Sequence, residues 1–192
     1  FITRRAVFSV AIISLLWFRK KLPRVALDFF DIIIKLVADH GPNVSGAHNT
    51  IIASRAGKDV VSSLASGLLT IGPRFGGAIG SAARQWHRCV REGKGARDFV
   101  DEMKSKGELI PGIGHAYKNK MNPDDRVAML EQYARKHLKS APHLDFARAV
   151  EEITLQKKHN LILNIDGTIA AVALDILLEC GFSENEISDI VQ

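Results

Sequence analysis

The sequence predicts an all-α fold. Apolar residues recur at a spacing of three to four over most of its length, as in Leu27, Phe30, Ile34 and Val37 or in Val127, Leu130, Ala134 and Leu138. That is the period of a helix with one buried face. Helix-breaking signals such as Leu22-Pro23, Gly41-Pro42, Gly93-Lys94-Gly95 and Asn122-Pro123 punctuate these stretches. At 192 residues the chain is long enough to bury a real core, as one domain or as two small ones.

Taken in order, segment 6–19 reads as a helix that is apolar nearly all round, which predicts an interior position. It is too short to span a bilayer, and it is flanked by Arg4-Arg5 and Arg19-Lys20-Lys21 without a small-residue cleavage site. A buried helix is therefore expected rather than a leader or an anchor. A second helix is expected over 25–38, followed by the polar stretch 38–50. Asp59–Leu69 reads as a helix rich in Ser, Ala and Gly, 70–77 as a turn-rich loop, and 78–91 as helix again. After Arg91 the composition becomes charged, which marks a boundary, and 96–106, 123–138 and 143–157 read as short amphipathic helices. The apolar run Asn160–Ile165 is a strand by periodicity alone and precedes a helix expected at 168–180. Ser183-Glu184-Asn185-Glu186 opens a last helix with Ile187, Ile190 and Val191 on one face, and nothing later in the chain is expected to cover that face.

The composition, 46% apolar and 24% charged, is that of an ordinary globular protein. A net charge of +5 and a pI near 9.3 point to an anionic partner. Nucleic acid is disfavoured, because the basic residues are scattered and, at 7% aromatic, show no basic-aromatic interleaving. Cys89 and Cys180 lie far apart without zinc-ligand spacing, so no metal site or disulfide framework is expected and a reducing compartment fits. A phosphate loop at Arg55-Ala56-Gly57-Lys58-Asp59 fails because Ile52 and Asp59 stand where a glycine and a hydroxyl are needed. A dinucleotide loop at Gly112-Ile113-Gly114 fails because Tyr117 replaces the third glycine.

Three polar interruptions are the candidate site. The first, Ala38-Asp39-His40-Gly41-Pro42-Asn43-Val44-Ser45-Gly46-Ala47-His48-Asn49-Thr50, crowds two imidazoles, a carboxylate and two amides into a helix break. It is either a site or a solvated loop capped by Ser45. The second, Ile110-Pro111-Gly112-Ile113-Gly114-His115, presents a histidine between glycines, whether for a ligand's approach to the backbone or as a plain turn. The third ends on Asp166, a reactive carboxylate or a helix cap.

Histidines at 40 and 115 followed by Asp166, in an otherwise helical chain, resemble the citrate synthase-like C-terminal part of ATP-citrate lyase. The segments that carry the resemblance run in unbroken order along nearly the whole chain. They are Leu15-Leu16-Trp17-Phe18, Ala38-Asp39-His40-Gly41-Pro42, Val44–Thr50, Arg55–Asp59, Ser66–Gly72, Arg74–Ala78, Gly112–His115 and Asn164-Ile165-Asp166-Gly167. The resemblance implies an all-α dimer or higher homo-oligomer in the cytoplasm. Its large domain, 1–87 and 159–192 and incomplete at both ends, would carry an inserted small domain over 88–158. The ligands implied are coenzyme A thioesters with citrate or oxaloacetate, with no nucleic acid, membrane or resident metal. ATP and magnesium would act only through segments not in this chain. Carried over by position, His40 would hold the oxaloacetate or citrate part, His115 the carbonyl that becomes the tertiary hydroxyl, and Asp166 would be the acid/base at the acetyl carbon. Arg126 would bind a citrate carboxylate, with Asn43, Gly112 and Gly114 as further substrate-binding positions.

These residue types suit splitting of citryl-CoA, in which a base takes the alcohol proton and an acid returns one to carbon. An arginine fork matches a carboxylate. The rival readings are condensation of acetyl-CoA with oxaloacetate and a non-catalytic fragment that binds coenzyme A or mediates association. Two positions depart from the resemblance. Gly80 stands where lyases of this kind commonly have Asp and citrate synthases His, and Ala116 stands where the lyases usually have Arg.

Overall fold

The computed structural model describes residues 2–38, 41–72 and 76–192, with side chains from residue 9 onward. Among the described residues the chain is helical throughout its regular structure, and the only β features are isolated bridges. The helices are α1 (Ile2–Phe18), α2 (Arg24–Val37), α3 (Ser45–Arg55), α4 (Val60–Leu68), α5 (Ala78–Arg91), α6 (Ala96–Lys106), α7 (Asp125–His137), α8 (Pro142–Leu155), α9 (Ile165–Glu179) and α10 (Glu184–Val191).

The chain folds around α9. Its sequence is apolar on every face, and eleven of its residues are buried, from Ile165 to Leu177, as expected of a helix with packing partners all round. Helices α5, α8, α7, α2 and α10 lie against it. On α5, Trp86 is fully buried, meets Phe99 and Phe146 edge-on, and donates its indole N–H to the Gly167 carbonyl at 3.3 Å. Each large side chain buried in this way contributes about 2 kcal/mol of hydrophobic stabilisation. Glu102 of α6 gathers Arg88, Lys94 and Lys106, whose hydrogen bonds hold its carboxyl well below the usual carboxylate range and tie α6 to α5.

Helix α1 is where the expected interior position fails. It packs on α2, with Phe18 stacked on Phe30 and edge-on to Phe182. Ile12, Ile13, Leu15, Leu16 and Trp17 nevertheless remain exposed, Trp17 at 75%. All-round apolarity marks a helix that can be covered on every side, and within one copy of this chain only one side is.

Helix α3 was not expected from the sequence, which offered Ser45 as a cap. Its N-cap is Val44, with no side-chain bond. It forms a hairpin with α4, which the Asp59 carboxylate caps by accepting from Ser62 N–H. The two cross at Gly67, where a Cβ would stand 2.1 Å from Thr50 Oγ1 and 2.8 Å from the Gly46 carbonyl oxygen. Gly67→Ala is therefore expected to cost about 1–3 kcal/mol, seen as a lowered melting temperature; an unchanged one would show that the hairpin opens freely.

The run at 161–164 is extended but is not a strand of a sheet, and Ile165 already belongs to the next helix. The run lies antiparallel to 112–115, with Gly114 N–H donating to Ile162 O (2.7 Å), His115 N–H to Asn160 O (3.1 Å) and Asn164 N–H to Gly112 O (2.9 Å). The following helix starts at Ile165, three residues before the expected 168. Asn164, not Asp166, is its N-cap, accepting from Gly167 N–H at 3.0 Å.

Helix α10 opens with the Ser183–Glu186 capping box. Its apolar face is partly covered by the chain itself, against expectation: Ile187 is fully buried on α5 and α9, while Ile190 is 41% exposed. Beside it, His87 of α5 is buried, with Nε2 at 3.1 Å from Glu184 O and 3.0 Å from Ser188 Oγ. Its ring stacks at 5.7 Å on that of His143, whose Nδ1–H donates to Asp175 (2.8 Å); Asp175 also caps α8 through the amides of His143 and Leu144. Burial pushes the His87 imidazolium below its ordinary 6.5, against the pull of Glu184. The unfolded chain therefore binds a proton at a pH where the folded one does not, so stability is full above about pH 6.5 and falls as the pH drops through the lower folded value. The melting temperature is expected to fall between pH 7 and pH 5, and His87→Gln to flatten that fall; a fall of equal size in the variant would assign it to other groups.

Candidate active site

The antiparallel pairing of 112–115 with 160–164 brings two of the three polar interruptions together. Gly112 and Gly114 adopt left-handed backbone, φ +82° and +103°, which lets the turn double back on α9. Gly112 is buried against Gly167, and a Cβ on Gly112 would lie 2.6 Å from Gly167 Cα. Gly112 thus admits the chain's own helix α9, while a Cβ on Gly114 would meet Leu161 Cδ2 at 3.6 Å. The turn is fixed further by Asn164 Nδ2 donating to Gly114 O (2.9 Å) and Asn160 Nδ2 to His115 O (3.1 Å). Asp166, half-buried, sits in the first turn of α9, two residues beyond the cap.

His115 is half-buried, and its Nδ1 accepts two backbone N–H bonds, from Tyr117 and Lys118, both at 3.0 Å. An acceptor nitrogen carries no proton, so the neutral ring holds its proton on Nε2 and presents a donor outward. In this tautomer it can hold an oxygen by donation.

Arg126 stands at the start of α7. Its Nε and Nη2 reach the Asp124 carboxylate at 2.7–3.2 Å, and Asp124 also caps α7 by accepting from Arg126 N–H at 3.0 Å. The Asp124 hydrogen bonds, with Asp166 adding a smaller pull, raise the Arg126 guanidinium's pKa, while burial opposes them. The same Arg126 hydrogen bonds, with a smaller contribution from His115, lower the carboxyl of Asp124. Asp124 thus lies within electrostatic reach of Arg126 and His115, and Arg126 within reach of Asp166. A cleft of about 270 Å³ touches this group only at Asp124; its other walls include Asn119, Lys120, Arg148, Glu151 and Leu163, and neither His115, Arg126 nor Asp166 lines it.

His40 and the segment Pro73-Arg74-Phe75 lie outside the described residues. Asn43 is exposed in the turn before α3. Sequence reasoning missed two supports of the site. Asn164 is the tether of the His115 turn, and its signal was a good capping residue just ahead of Ile165-Asp166. Glu151 accepts from Leu163 N–H at 2.8 Å and pairs with Arg148, so a buried carboxylate of α8 holds the extended segment in place; a glutamate within an amphipathic helix gives no sign of that.

The helical frame thus holds the His115 turn against the first turn of α9, with Arg126 at the start of α7. The citrate synthase C-terminal domain family matches residues 8–179. The chain belongs to that family. A probable ATP-citrate synthase of Dictyostelium discoideum is 55% identical over 94% of this chain and 29% of its own length. The human ATP-citrate synthase is 51% identical over 93% of this chain and 16% of its own. The chain thus spans less than a third of these relatives. Among solved structures, ATP citrate lyase from Methanothrix soehngenii, in complex with citrate and coenzyme A, superimposes with a TM-score of 0.92 at 52% identity. That match covers 99% of this chain and 31% of the other. Citryl-CoA lyase from Hydrogenobacter thermophilus superimposes at 0.77 with 29% identity, over 95% of this chain and 73% of its own.

Proposed function

We propose that this chain is the citryl-CoA-cleaving module of an ATP-citrate lyase, releasing acetyl-CoA and oxaloacetate. The observation that carries the reading is the backbone pairing that brings the His115 turn onto the start of α9, beside Asp166. Lyase-type relatives and the citryl-CoA lyase neighbour support it.

In this reading the Nε2–H of His115 donates to the carbinol oxygen of citryl-CoA and stabilises negative charge as the hydroxyl proton leaves. With that ring nitrogen already protonated, the proton passes to another group, for which His40 is the imidazole the sequence offers. The carbon–carbon bond then breaks, its electron pair forms the thioester enolate, and Asp166 in its acid form returns a proton to that carbon. Arg126 binds a citrate carboxylate, with Asn43 lining the substrate side. Coenzyme A enters as part of the substrate, and the basic balance of the chain suits both polyanions. ATP and magnesium act through segments outside this chain.

The division into a small domain over 88–158 inserted in a large one, a cytoplasmic location and a homo-oligomeric state belong to the same proposal. The exposed apolar residues of α1, α3 and α4 support the last of these. No helix among the described residues is long and apolar enough to cross a membrane.

Incubation of the pure chain with citryl-CoA, with oxaloacetate followed over time, tests the reading. Citrate formation from acetyl-CoA and oxaloacetate faster than cleavage would turn it to condensation, and no turnover in either direction would leave a binding or association fragment. At Gly80 a Cβ meets only Arg84 Nη1 at 3.6 Å. Gly80→Asp, which restores the residue common in such lyases, is therefore expected to leave the melting temperature within about 1–2 °C, since it adds no collision and places a carboxylate in the first turn of α5. A larger fall would show that the glycine is required by packing.

A further inference from the structure

We propose that Asp124 is a positioning residue for substrate, because it fixes the guanidinium of Arg126 with one edge turned outward. A guanidinium has two edges that can grip a carboxylate, one made by Nε and Nη2 and one by Nη1 and Nη2. Asp124 occupies the first, with Oδ1 on Nε at 3.0 Å and Oδ2 on Nη2 at 2.7 Å. The Nη1–Nη2 edge is left for a second carboxylate. The inference rests on the reading of Arg126 as the citrate-carboxylate arginine.

Asp124 is built for this task beyond its role as a cap. Its side chain is 5% exposed, while that of Arg126 is 31% exposed. The anchor is thus in the protein and the gripping group faces solvent. Capping needs one carboxylate oxygen, which accepts from Arg126 N–H at 3.0 Å, and an amide side chain would serve equally. The second oxygen is spent wholly on the guanidinium. A long, flexible arginine loses side-chain freedom when it binds an anion, and a partner that has already ordered it removes that cost from binding.

A second effect has the opposite sign. The Asp124 carboxylate repels an incoming anion, so removing its charge strengthens anion binding if electrostatics alone decide. Asp124→Asn separates the two, because asparagine keeps the shape and the cap but loses the charge-assisted fork. If positioning dominates, citrate binding to the 192-residue chain weakens by about tenfold or more, since misplacement of a binding group by about 1 Å can cost up to a hundredfold. Coenzyme A affinity is expected to stay unchanged, as is the melting temperature within a few degrees. In an Arg126→Lys background, which has no fork to hold, Asp124→Asn is expected to change citrate affinity no further; a purely structural role for Asp124 would carry its full effect into that background.

Calorimetry with citrate and with coenzyme A on the four proteins reads these outcomes. Unchanged or tighter citrate binding in Asp124→Asn overturns the proposal. The Arg126 Nε–H resonance without ligand gives an independent measure, expected to resist solvent exchange in the wild type and to lose that protection in Asp124→Ser, which keeps a capping oxygen but is too short to reach the guanidinium. Equal exchange in both overturns the pairing whatever the ligand. Protection together with no citrate binding by the wild-type chain overturns the reading of Arg126 and the substrate half of the proposal with it.

Discussion

Asp166→Asn is expected to slow citryl-CoA cleavage by about a hundredfold or more, the scale of a lost general acid, while coenzyme A affinity stays within about twofold. The side chain lies one residue inside α9 and does not carry the cap. Asn164 closes the helix end through Gly167 N–H and Thr168 N–H, the latter onto the Asn164 carbonyl. Removing the Asp166 charge therefore leaves the N-terminal hydrogen bonds of α9 standing. It forgoes the attraction to Arg126 and a favourable charge–dipole contact worth about 0.3–1 kcal/mol, in a helix that is buried along most of its length. Asparagine keeps the volume and a hydrogen-bond donor but has no proton to give to an enolate carbon. Rates and coenzyme A binding, measured together, decide the matter. A parallel fall of both would mean that Asp166 supports the fold of the turn, and an unchanged rate would move the acid elsewhere.

What could be read in advance was whatever depends on neighbours in sequence. Helix α7 is the clearest case. Asp124 marks its start and accepts from the second residue of the helix, and Val127, Leu130 and Ala134 are its buried stripe, as their spacing requires. The capping box of α10 is equally local. Failures came where a tertiary partner decided. Apolarity on every side of α1 gave no hint that only α2 and a few aromatic rings would cover it. Helix α3 has buried none of its residues and carries little amphipathic pattern, so its existence follows from docking on α4 at Gly67. The β-branched run before Asp166 was rightly extended, but its partner is a glycine turn rather than a sheet.

The candidate site divides in the same way. Histidine and aspartate at positions 115 and 166 stood out as polar interruptions of a helical chain, and Arg126 by the resemblance alone. The state of His115 did not, because the two amides on Nδ1 belong to a turn whose geometry no side-chain pattern records. Nor did Glu151, whose hydrogen bond to Leu163 N–H spans a helix and a loop. The buried His143–Asp175 pair was hidden for the same reason, since thirty-two residues separate its members.

Gly112→Ala is expected to destabilise the chain by about 3–5 kcal/mol, from two separable causes. The first is backbone strain, because φ of +82° lies in the left-handed region and costs a side chain about 1 kcal/mol or more. The second is collision. The new Cβ would stand 2.6 Å from Gly167 Cα and 3.2 Å from both Gly167 N and the Ala82 Cβ, which are the backbone of α9 and the methyl of a buried core alanine rather than the movable end of a side chain. Relief requires the His115 turn to lift from α9, which strains the Asn164–Gly112 and Gly114–Ile162 hydrogen bonds together. Gly107→Ala is the control, since Gly107 also has a left-handed φ, of +67°, yet has nothing within 4 Å of its added Cβ. It should show the strain alone, about 1 kcal/mol, or a few degrees of melting temperature at this chain length. Gly112→Ala should lose roughly 10 °C and cleavage activity with it, because the same movement draws His115 away from Asp166. Equal shifts for the two variants would show that conformation alone governs Gly112. A stable Gly112→Ala chain with unimpaired cleavage would show that close contact between the turn and α9 is not what assembles the site.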